Sequence, residues 1–123
     1  MRRAWLFYLI LIFGLSSLPG SSVHLGGDHR DKIAHFLLYG GYGFLIAAGG
    51  WRGLRWSWSR VLLVGLGAGA LTGLADECYQ MLIPGRLSTA GDWFADILGA
   101  TAGALAGKLL LPPLRRGRKK ESA

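Results

Sequence analysis

Apolar residues along this chain come in four long runs separated by short polar patches: Ala4–Leu18, Ile33–Gly50, Val61–Ile83 and Trp93–Leu111. Runs of this length with so few charges predict helices that face lipid rather than share an aqueous core. At a 1.5 Å rise per residue the third run is about 34 Å long and the fourth about 28 Å, against a hydrocarbon layer of about 30 Å. The first is about 22 Å by the same rise and fits two readings, a retained span or the apolar region of a cleaved signal peptide. Its flanks, Arg2-Arg3 before and Ser16-Ser17-Leu18-Pro19-Gly20 after, suit either. Retention is adopted, and cleavage would leave the orientation of the other three unchanged. The expected architecture is all-α, a polytopic membrane protein with four transmembrane helices over residues 1–111. A basic tail, expected to be disordered, follows over residues 112–123, after Pro112-Pro113 ends the last helix.

Charge changes this picture by giving it a direction. The net charge is +7, which raises the possibility of nucleic-acid binding, but the cations flank apolar spans instead of forming one stripe. No helix-turn-helix, zinc or RNA-binding motif accompanies them, so no nucleic-acid partner is expected. Arg2 and Arg3, then Arg52, Arg55 and Arg60, then Arg115, Arg116, Arg118, Lys119 and Lys120 all fall on one side of a four-span arrangement. Only Arg30, Lys32 and Arg86 fall in the other two loops or at their helix ends. The positive-inside rule makes the first side cytoplasmic, with both termini there. Trp5, Trp51, Trp56 and Trp58 mark that interface and Trp93 the opposite one. Cys78 is the single cysteine, so no internal disulfide forms, and its place in an apolar run predicts a buried, inert thiol.

The acidic residues collect at the other end. Apart from Glu121 they are Asp28, Asp31, Asp76, Glu77, Asp92 and Asp96, and several lie inside the spans. A carboxylate facing lipid at depth costs about 2.5–3.5 kcal/mol on insertion scales. These groups must therefore point inward, be paired, or be protonated. Helical spacing supports the first. Asp31, His35 and Tyr39 share one face of the second run; Gly65, Gly69, Gly73 and Glu77 share a stripe on the third, with Gln80 close by; Asp92, Asp96, Gly99, Gly103 and Gly107 line the fourth. Glycine every fourth residue lets helices approach closely. Two packing seams continued by polar residues predict a shallow polar pocket open to the external side.

Each candidate also has a plainer role. Asp31 and Asp92 begin helices and fit N-caps. Lys32 and Arg86 fit interface snorkelers, although Arg86 stands between two acid-bearing helices and is expected to pair. His35 fits a structural hydrogen-bonded residue, and Tyr39 and Tyr42 fit packing residues. Asp76 and Glu77 are consecutive and cannot share one helix face, so one is expected to face the site and the other a neighbouring helix or the water boundary. No nucleophile elbow, zinc-protease helix or phosphate-binding loop is present. A single histidine within a span makes a zinc site weak, so no metal and no cofactor is expected.

The residues resemble a family. Asp31-Lys32-Ile33-Ala34-His35-Phe36 followed by Tyr39 resembles the D-K-x-x-H-F-x-x-Y signature of VanZ-like membrane proteins. Asp76-Glu77-x-x-Gln80, then Pro84-Gly85-Arg86 and Ser88, resembles the second block, and Asp92-x-x-Ala95-Asp96-x-x-Gly99 the third. Asp96 stands where the family pattern usually has asparagine, keeping the acceptor oxygens and losing the amide donor. The end of the first run, Ser16-Ser17-Leu18-Pro19, is also similar to the family's, which favours a retained helix. The resemblance implies a bacterial cell-envelope setting and a link to glycopeptide (teicoplanin) resistance, without implying a reaction.

Two functions of different class follow. In the first, the external pocket binds an envelope component, a lipid head group or a glycopeptide, through Asp31, Lys32, His35, Tyr39, Asp76, Glu77, Gln80, Arg86, Ser88, Asp92 and Asp96. In the second, the protein is a membrane-embedded enzyme acting on a lipid-linked or anionic envelope substrate, with His35 as general base and Asp31 or Asp76 orienting it. The first is favoured because no nucleophile or oxyanion arrangement is recognisable. The partner in both is the lipid bilayer; oligomeric state is left open.

Overall fold

A computed structural model describes residues 3–18, 28–85 and 89–112, with every side chain in them except those of 28–31. Four helices account for almost all of this: α1 (Ala4–Ser16), α2 (Asp28–Ala47), α3 (Trp58–Gln80) and α4 (Ala90–Leu110). There is no strand among the described residues, so the fold is all-α as expected. The anticipated disordered tail beyond residue 112 lies outside the described residues, as do Arg86 and Ser88.

The helix boundaries depart from the apolar runs in instructive ways. Helix α2 starts at Asp28, so Asp31 falls inside the first turn instead of capping it. Helix α4 starts at Ala90, capped by Thr89, whose hydroxyl accepts from the Asp92 backbone N–H at 3.2 Å. Asp92 is therefore the third residue of the helix and its carboxylate is released for another partner. At the far end of α2 the helix widens into a π-helical turn, Ala48–Gly53, and Ser57 caps α3.

Helix α4 is the centre of the bundle. Its glycine stripe lies against the backbone of α2: a Cβ at Gly99 would collide with the Phe36 carbonyl, and one at Gly103 with the Gly40 carbonyl. The two helices run parallel in near backbone contact, an approach that only missing side chains permit. A neighbouring face of α4 receives α3 antiparallel, Gly65 against Ala104, Gly69 against Ala100 and Gly73 against Asp96. The two seams expected from spacing thus do not meet each other. Each meets a different face. Helix α1 packs on α2 and α3, with Ile12 wholly buried beside Tyr39, Tyr42 and Ala100 and the Tyr8 hydroxyl donating to the Leu38 carbonyl at 2.6 Å.

Polarity is distributed inside-out. Large apolar side chains such as Phe7, Leu37, Leu63, Leu71, Leu82, Leu98 and Leu109 are exposed around the bundle, while the buried set includes Ser16, His35, Asp76, Glu77, Gln80, Asp92 and Asp96. Water would reverse that sorting; an apolar solvent explains it. Two helices, Lys32–Gly53 and Trp58–Gln80, are long and apolar enough to cross a membrane.

Cys78 is exposed rather than buried. The phase of α3 turns Gly73, Asp76, Glu77 and Gln80 inward, which leaves position 78 on the outer face. Trp93 is not a simple interface anchor either: its indole N–H donates across the bundle to the Ala70 carbonyl at 2.9 Å. At the opposite end Trp51 donates to the Leu111 carbonyl at 3.1 Å, and the Lys108 ammonium lies 3.5 Å from the centre of the Trp58 ring.

Candidate functional site

The end of α1, the stretch of α2 from Lys32 to Tyr39, the end of α3 and the first turns of α4 come together at one end of the bundle, and the acidic residues come with them. Two polar groups form there. In the first, the Asp76 carboxylate accepts from Ser16 Oγ, from the Tyr39 hydroxyl at 3.2 Å and from the Gln80 amide at 3.4 Å, and the same amide also donates to Ser16 Oγ at 3.3 Å. In the second, His35 Nδ1 lies 2.7 Å from Asp96 Oδ1 and 3.7 Å from Glu77 Oε1. Just beyond, the Lys32 ammonium stands 3.5 Å from Asp92 Oδ1.

Of the residues expected to build the site, the structure brings together Lys32, His35, Tyr39, Asp76, Glu77, Gln80, Asp92 and Asp96. The Asp31 side chain, Arg86 and Ser88 are outside the described residues. Both consecutive acids are buried. Asp76 turns toward α1 and α2, and Glu77 toward His35, because the end of α3 is enclosed on two sides. The carboxylate that hydrogen-bonds His35 among the described groups is Asp96, while Asp76 serves Ser16, Tyr39 and Gln80. Ser16 was no candidate in the sequence; its place at the polar end of an otherwise apolar helix is the signal that could have found it.

The cluster is closed over instead of forming an open bowl. His35 is 7% exposed and Asp96 0%, and the described group with real access to solvent is Lys32, its side chain 39% exposed against 2% for Asp92. Buried carboxylates in hydrocarbon persist only with donors or counter-charges around them. Two hydroxyls and an amide serve Asp76, the imidazole serves one oxygen of Asp96, and the Lys32 ammonium stands as counter-charge to Asp92. Asp92 Oδ1 and Asp96 Oδ2 are buried without a hydrogen bond among the described residues. One imidazole and two carboxylates, His35, Glu77 and Asp96, each offer a ligand atom within 4.8 Å of the others. This is a donor set able to take a divalent ion, and the 2.7 Å His35–Asp96 separation already satisfies those two atoms as a hydrogen bond.

A model of the family described as VanZ/LLP1 matches residues 5–111. The chain belongs to that family. No curated protein and no solved structure matches it. VanZ-type proteins are membrane-associated, and membership agrees with the two membrane-length helices and the outward-facing leucines. In this VanZ/LLP1 chain the matched stretch takes in every residue of both polar groups, so the cluster belongs to the family domain itself.

Proposed function

We propose that this VanZ/LLP1 protein is a four-span integral protein of the bacterial plasma membrane, both termini cytoplasmic, whose acidic end faces outward and binds an anionic envelope component. A lipid head group or a glycopeptide is the ligand class, and family membership supports a link to glycopeptide resistance. The observation that carries the reading is Lys32, whose partly exposed side chain sets its ammonium 3.5 Å from the buried Asp92 carboxylate at the rim of an otherwise enclosed polar cluster. A cation tethered in this way is pre-oriented toward the outside, so that an arriving anion loses little side-chain freedom on binding. Behind it, His35 held by Asp96 and Glu77 supplies a second polarisable group. Arg86 and Ser88, which follow Gly85 in sequence, belong to the proposed anion site by the family resemblance.

The test compares cells expressing wild type, Lys32→Gln and His35→Ala, with membrane abundance and teicoplanin tolerance measured together. Normal abundance with tolerance lost in Lys32→Gln is the expected result. Equal tolerance in all strains, including one lacking the protein, would sink the reading.

The enzyme reading retains one specific support, the buried 2.7 Å imidazole–carboxylate couple of His35 and Asp96, a pairing suited to general acid–base work. In it Asp96 takes the orienting role expected of Asp31 or Asp76. Turnover of a lipid-linked substrate by purified protein, abolished by His35→Ala, separates the two.

A further inference from the structure

At the end of the bundle opposite the acidic cluster, the fold leaves a cavity of about 670 Å³ between α1, the π-helical turn and α3. Its wall includes Trp5, Ala48, Gly49, Arg52, Trp56 and Ala68. The space exists because side chains are missing where they would fill it. A Cβ built at Gly49 or at Gly53, another wall residue, meets nothing within 4 Å, and Ala48 and Ala68 contribute a single methyl each. A volume in the range of about 300–1,000 Å³ is that of a ligand site rather than a packing defect.

The wall is apolar with one cation set in it. Arg52 Nε is buried with no hydrogen-bond partner among the described residues. A buried guanidinium N–H without an acceptor is a cost, and a turn of the Arg52 side chain toward an anionic oxygen in the cavity would remove it. Arg55 and Arg60 lie close in sequence at the same end of the bundle. The chain's own C-terminal stretch, with Arg115, Arg116, Arg118, Lys119 and Lys120, carries the wrong sign to serve as the occupant.

We propose that this cavity is a binding site for an anionic phospholipid, an acyl chain lying against Ala48, Gly49 and Ala68 and the phosphate meeting Arg52. The inference deepens the membrane reading above by assigning the basic end a lipid of the cytoplasmic leaflet, where anionic head groups are abundant. It uses none of the residues of the acidic cluster.

The test is native mass spectrometry of the purified full chain in detergent, titrated with phosphatidylglycerol or phosphatidylcholine of identical acyl chains. This readout is independent of orientation in the membrane, so its failure is distinguishable from failure of the topology. Wild type is expected to hold phosphatidylglycerol on the order of tenfold more tightly than phosphatidylcholine, the worth of one charge-assisted contact. Arg52→Gln should bring the two lipids level, and Gly49→Leu, which adds bulk at a wall position where a Cβ meets nothing within 4 Å, should weaken both. Ala68→Leu, at a half-buried wall position on α3, serves as a second filling variant should Gly49→Leu lose helical content by circular dichroism. Equal affinity of wild type for the two lipids, a preference that survives Arg52→Gln, or undiminished lipid retention in a folded filling variant overturns the proposal.

Discussion

Asp76 accepts hydrogen bonds from Ser16 on α1, Tyr39 on α2 and Gln80 on its own helix. All three partners act as donors, so the site requires a group that accepts on both oxygens. Asp76→Asn turns an NH₂ toward at least one of them and is expected to destabilise by about 1–3 kcal/mol, read as a lower melting temperature in detergent. Ser16→Ala, which removes one donor and leaves the carboxylate two described partners, should cost less. The spacing of Asp31, His35 and Tyr39 was enough to turn the last two inward, and the glycine stripe on α3 was enough to place Glu77. What spacing could not supply was pairing. His35 could reach carboxylates on either of two helices, and only the depth to which α4 is inserted brings Asp96 against it. Ser16 stayed hidden because a hydroxyl at a span's end reads as a boundary until a partner from residue 76 arrives.

Among the helices, the glycine periods on α3 and α4 were legible, but their partners were not. A four-residue period says that something comes close and says nothing of which neighbour it is. The α4 stripe met the backbone of α2, where Gly40 and Gly43 complete the contact, while Ala100 and Ala104 received α3. Gly103→Ala should therefore force the Gly40 carbonyl away and cost at least about 1–3 kcal/mol. Gly67→Ala, whose added methyl meets nothing within 4 Å, should leave stability unchanged or raise it by up to about 1 kcal/mol. Thermal unfolding of both variants in one detergent checks the contrast. The π-helical turn at Ala48–Gly53 was equally silent, since Ala48–Gly50 continue the apolar run of α2 and Trp51-Arg52-Gly53 read as the start of a cytoplasmic loop. Cys78 was misplaced for a related reason: membership of an apolar run does not give the phase of a helix, and only the polar positions around it do.

For the whole molecule, the distribution of arginine carried more than any single motif. It predicts that a periplasmic-activity reporter such as alkaline phosphatase is inactive when fused after Trp56 and active when fused after Gly85; the opposite pattern would reverse the proposed orientation. The all-α class was readable from run length alone. The inside-out sorting followed from one physical rule, that a chain in hydrocarbon must gather its polar groups inward, and the structure gathers them at one end. The apolar cavity had no such rule behind it. It arises where glycine and alanine from separate helices fall opposite one another, a coincidence of register that no local pattern encodes.

The central position of α4 also bears on how the bundle is made. Helices α2 and α3 touch each other sparingly and find most of their interhelical contact on α4, which leaves the ribosome after both of them. In the four-span arrangement proposed above, they wait in the bilayer during synthesis with Asp76, Glu77 and His35 still short of their last neighbour. The structure closes when the fourth segment slides between them, so a chain halted before residue 90 would present a clear target to membrane quality control.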